Sequence, residues 1–147
     1  MPRHQWPPLN KRHQRPLASR LTVLDEAICD FERWAQGRGV ESVLFAERND
    51  LTEEQTQLLR GEIAEMREIL SELRDALHLE PSVRQAKQDI ASRCSLLWEM
   101  LIELQPKYLR RYGEWPAEVL ELVSEKTAVL QACVEAVGKI ARGADGL

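Results

Sequence analysis

The sequence predicts an all-α protein: an antiparallel up-down-up-down four-helix bundle with coiled-coil-like seams and an extended N-terminal tail. Leu59, Ile63, Met66, Leu70, Leu73 and Leu77 recur at steps of 4, 3, 4, 3 and 4, the rhythm of a helix lying along other helices. The same rhythm returns in three further stretches. No segment alternates between apolar and polar residues with a period of two, so no sheet is expected. The links are short, Glu80-Pro81 most of all, and short links between long helices favour antiparallel neighbours.

Residues 1–15 read as a basic, proline-rich tail. Pro2, Pro7 and Pro8 forbid a regular helix, and Trp6-Pro7-Pro8 favours an extended path. Pro16 suits a first helical position, so the first helix is expected over 16–36. Its seam is Leu17, Leu21, Leu24, Ile28, Phe31 and Ala35, and Gly37 with Gly39 stops it. Residues 40–48 are expected to add one or two helical turns, with Val40, Val43 and Leu44 inward. Thr52 and Gln55 have capping-box spacing, which places a second helix over 53–79.

A third helix is expected over 82–112, with Ile90, Cys94, Leu97, Leu101 and Leu104 on its seam and a kink at Pro106. Pro116 opens a fourth over 116–142. That helix has two seams: Leu120, Val123, Thr127, Leu130, Val134, Val137 and Ala141, and beside them Val119, Leu122, Val129, Cys133, Ala136 and Ile140. Two seams make a wide face that suits two neighbours. Residues 16–142 are thus read as one domain, with 143–147 as a C-terminal tail.

The formal charge of −4 is lopsided. Arg3, Lys11, Arg12 and Arg15 give the tail +4 with no acid, which leaves −8 on the rest. A body that acidic disfavours binding to a phosphate backbone, where each contact needs Lys or Arg. Leu96 to Leu104 is the most apolar window. It is far shorter than the roughly 20 residues of a spanning helix, so no membrane contact is expected. Cys29, Cys94 and Cys133 are odd in number and lack CxxC spacing, with Cys94 and Cys133 on seams. Reduced thiols in a cytoplasmic compartment are the expectation.

The patterns of catalysis and metal binding are missing. There is no GxSxG and no glycine-rich phosphate loop. Di-iron bundles need Glu-x-x-His twice, and Asp75-x-x-His78 is a single near-match. Glu62-x-x-Glu65 and Glu72-x-x-Asp75 lie on one helix in an outward stripe, where carboxylates diverge rather than converge on Mg²⁺. No catalytic residue, metal ligand or cofactor is assigned.

Two features exceed what a fold requires. Residues 94–104 are apolar nearly all round, so Leu96, Trp98, Met100 and Ile102 form a surplus beyond the seam, to be covered either by residues 40–48 or the N-terminal tail, or by a subunit or partner. Arg60, Arg67 and Arg74 recur every seven residues with no acid three or four residues away; a solvated face is the default reading, and the alternative is a reach to carboxylates of a neighbouring helix or of a partner. Together they predict a non-enzymatic protein-interaction module: a self-associating scaffold, adaptor or chaperone-like subunit whose partner is a second copy or another helical protein. The alternative is a nucleic-acid-associated factor using Trp6, Lys11, Arg12 and Arg15 of the tail. A metal-dependent all-α hydrolase ranks third.

Overall fold

The computed structural model describes residues 6–143, and they are helical and connecting segments without a strand. The chain divides into two compact units, Met1–Ser82 and Val83–Leu147.

The first unit pairs α1 (Lys11–Ala35) with α2 (Glu53–Leu77). The helix starts five residues before the expected Pro16, so the tail ends at Asn10. Asn10 is the reason: its side-chain oxygen accepts the His13 N–H at 3.0 Å. Pro16 consequently lies inside the helix and removes the bond its nitrogen would donate to the Arg12 carbonyl. At the other end, Gly37 leaves the helix with φ of 76°.

Thr52 and Gln55 form the expected capping box, each side chain bonded to the other's backbone. α2 ends at His78, whose left-handed backbone turns the chain toward Pro81. Ile28, fully buried, packs with Ala35 and Ile63, and Phe31, Leu59, Met66 and Leu70 surround them. Arg60 bonds Ala35 and Arg67 bonds Glu32, so rising numbers on α2 meet falling numbers on α1. The pair is therefore antiparallel.

The connection between them corrects the expectation of extra helical turns. Residues 40–47 form a tight reversal in which Ser42 N–H donates to Phe45 O at 2.9 Å and Glu47 N–H to Val40 O at 2.7 Å. Glu41 and Ala46 make an isolated antiparallel bridge. Nine residues between Gly39 and Asn49 are too few to offset helix nucleation, and β-branched Val40 and Val43 favour extended backbone. Val43 and Leu44, expected inward, are 93% and 95% exposed at the tip.

The second unit pairs α3 (Ala86–Ile102) with α5 (Ala117–Ala141). The expected kinked helix is broken instead. Gln105, forced out of the helical region by the following proline, is extended (φ −67°, ψ 149°). Pro106 then opens a short α4 (Pro106–Leu109), followed by a 3₁₀ turn at Arg110–Tyr112. The Trp115 indole N–H donates to the Leu109 carbonyl at 2.8 Å, and Gly113 turns at φ of 121°. α5 turns Leu120, Val123, Thr127, Gln131, Val134, Gly138 and Ala141 inward, again at steps of 3 and 4. Cys94 is buried, whereas Cys133, expected on a seam, is exposed.

Gly138 lies where α5 passes Cys94. A methyl group there would meet Cys94 Cβ at 3.5 Å and the Arg142 guanidinium at 3.3 Å. The first contact is ordinary, and a guanidinium at the end of a flexible stem moves aside. Gly138→Ala is therefore expected to stabilise the chain by up to about 1 kcal/mol, the helix-propensity gain of alanine over glycine. Gly138→Val, with branches toward Cys94, is expected to lower the unfolding midpoint. Thermal unfolding followed by circular dichroism checks both.

Candidate interaction surface

The heptad-spaced arginines meet three different partners. Arg60 Nη2 donates to the Ala35 carbonyl at 3.0 Å, placing a cation on the last turn of α1, where the helix dipole is negative. Arg67 Nη2 donates to Glu32 Oε2 at 2.5 Å. That bond holds the Glu32 carboxyl below its ordinary value of 4.5 and raises the guanidinium's own pKa. Arg74 turns to its neighbour, with Nε at 3.0 Å from Asp75 Oδ1, and both remain largely in water. The first two arginines thus tie α2 to α1.

Glu47 was not singled out by any sequence pattern, yet it organises the loop. Its Oε2 accepts the Trp34 indole N–H at 2.5 Å and Arg33 Nη1 at 3.0 Å. The bond from Trp34, then that from Arg33, lowers the Glu47 pKa. Asn49 adds a bond from its side-chain amide to the Trp34 carbonyl at 2.6 Å. The end of α1 and the reversal at residues 40–47 are thereby pinned together, which presents Val43 and Leu44 to solvent.

The four residues of the apolar surplus on α3 are separated by the structure. Leu96 and Met100 are 69% and 56% exposed, pointing away from α5. Trp98 instead lines a groove of about 380 Å³ with Cys94, Ser95, Val134 and Gly138. Ile102 is half-buried at the end of α3. The larger open area is on α5, where Val119, Leu122, Val129, Leu130, Val137 and Ile140 are all exposed. The doubled seam of this helix was the signal for it. Leu130 and Val137, expected on the first seam, are exposed with the second, and α3 covers the remaining first-seam positions together with Gln131 and Gly138.

Of the tail residues, Trp6 is 55% exposed. Lys11, Arg12 and Arg15 are on the opening turns of α1 rather than in a tail, and spacings of three and four gather them on one side. Arg3 falls outside the described residues.

The grooves hold little that reacts. The Thr22 hydroxyl donates to the Ala18 carbonyl at 2.7 Å, and Ser95 donates to Ala91 at 3.3 Å, so each is committed to its own helix. Among the described residues, no three His, Cys, Asp or Glu side chains come together as a metal site would require. No helix among them is long and apolar enough to cross a membrane. No protein-family model, curated protein or solved structure matches the chain.

Glu32 and Glu47 have lowered pKa values in the folded chain, so both add stability above the unfolded value of 4.5. That contribution is lost as pH falls through 4.5 toward the folded values. Unfolding midpoints are expected to drop on acidification below pH 4.5, and Glu47→Gln is expected to flatten that drop while lowering the midpoint at neutral pH. A pH series of thermal melts checks both signs.

Proposed function

We propose that the chain is a non-enzymatic protein-interaction module, a helical scaffold, adaptor or chaperone-like subunit. The observation that supports this most directly is the exposed apolar stripe along α5, continued by Leu96 and Met100 on α3. Burying the remaining half of one Leu or Val side chain gains on the order of 1 kcal/mol, so a stripe of six is worth covering. The proposed arrangement is an antiparallel four-helix bundle in which another pair of helices lies over the stripe. Trp98 and Met100 add the residue types enriched at such interfaces.

A second reading rests on Lys11, Arg12 and Arg15. Gathered on one side of exposed helical turns, they make a small cationic patch that would attract a phosphate backbone.

Two measurements test the first reading together: thermal unfolding across a wide range of protein concentration, and binding of an apolar fluorescent dye. An interaction surface is expected to give either a midpoint that rises with concentration or dye binding that Leu96→Lys with Met100→Lys removes. A constant midpoint without dye binding would sink the reading. For the second reading, a salt-sensitive gel shift abolished by Arg12→Glu with Arg15→Glu is the expected result.

A further inference from the structure

The two long helices of the second unit, α3 and α5, each leave a stripe open, and the two stripes belong to one face. Successive residues of a helix turn by about 100°. On α5, the open stripe lies roughly 110° from the stripe that faces α3. On α3, the open residues Ile90, Leu96, Leu97 and Met100 centre roughly 100° from the facing positions Cys94, Trp98 and Leu101, in the same rotational sense along the chain.

Cys94 meets Gly138 and Trp98 shares a groove with Val134, so the two helices run in opposite directions. Offsets of the same sense and similar size on antiparallel helices fall on the same side of the pair. The result is a continuous apolar face two helices wide.

Its size matches a specific interface. α5 has 25 residues and α3 has 17. At 1.5 Å per residue and about 10 Å per helix, the footprint is roughly 600 Å². A standard stable interface buries about 800 Å² of accessible surface per partner, and a corrugated helical face has more accessible area than footprint.

Its charge suits an identical partner. Val83–Leu147 carries nine Lys and Arg against nine Asp and Glu, so the chain's −4 resides wholly in Met1–Ser82. Two copies of the second unit therefore meet without net repulsion. Arg93 and Lys126 interrupt the stripes while Glu103 and Glu118 edge them, and all four are exposed, so an identical face offers counter-ions of both signs.

We propose that a second copy of this chain docks on the α3–α5 face, so that two such pairs stack as a four-helix layer across a two-fold axis. The proposal rests on the interaction reading above and names its partner. Cys133 lies in the open stripe of α5, and Cys29 is an exposed thiol of the first unit. The pair supplies a test in the unmodified protein.

Light scattering on a sizing column is expected to give twice 16.9 kDa at high concentration. Thiol alkylation there is expected to modify Cys29 well before Cys133, with the difference disappearing on dilution. Leu122→Lys with Val129→Lys is expected to halve the mass and equalise the two thiols. A dimer whose Cys133 reacts as fast as Cys29 would overturn the proposal, as would a monomer at every concentration. A monomer whose dye binding is abolished by Leu96→Lys with Met100→Lys overturns the second copy and leaves the interaction reading standing. A monomer that binds no dye overturns both.

Discussion

An α-helix whose apolar residues cover two stripes needs two neighbours, and α5 is such a helix. Leu120, Val123, Val134 and Ala141 lie toward α3, while Leu122, Val129, Val137 and Ile140 remain exposed. α3 alone covers one stripe, because helices pack through a contact strip only a few residues wide. The remaining stripe carries an unmet burial free energy, and the proposed association draws on it. The first unit differs. Its most buried apolar side chains gather in one cluster around Ile28 and Ile63, and the outer side of α2 carries Glu65, Glu68 and Glu72 instead of a second seam.

Polar contacts in the first unit act as positional pins around that small core. Arg60 closes the carbonyl end of α1, Arg67 ties Glu32, and Glu47 gathers Trp34 and Arg33. None of the carboxylates involved is deeply buried, so each pair is individually modest in energy. Their value is in register: they set which turn of α2 lies beside which turn of α1 and hold the loop as a reversal. The consequence is that apolar Val43 and Leu44 stand at a tip rather than in the core.

Legibility in the sequence followed the range of the forces involved. Helices with strong local signals were readable: the capping box at Thr52 began α2 where expected, and Gly37 marked the break after α1. Reading errors arose where two local signals competed. Pro16 looked like a helix start, but Asn10 capped the chain earlier and the helix accepted the lost bond. Pro106 looked like a kink, but its effect on Gln105 broke the helix outright. Glu47 was invisible beforehand, since its partners are 13 and 14 residues away and no periodicity connects them.

By itself the sequence determined the helical class, the bounds of α2 and α5 to within two residues and the surplus of apolar positions on α3 and α5, while α1 began five residues earlier and α3 ended ten residues sooner than expected. Those properties follow from 3.6-residue periodicity, caps and breakers, all of which act over a few residues. Only the tertiary structure decided which stripe faced a neighbour. It parted Trp98 from Leu96, exposed Cys133 and turned two of the three heptad arginines, Arg60 and Arg67, into ties between α1 and α2. Periodicity states that a face is apolar, but which element covers it depends on contacts between residues far apart in the chain.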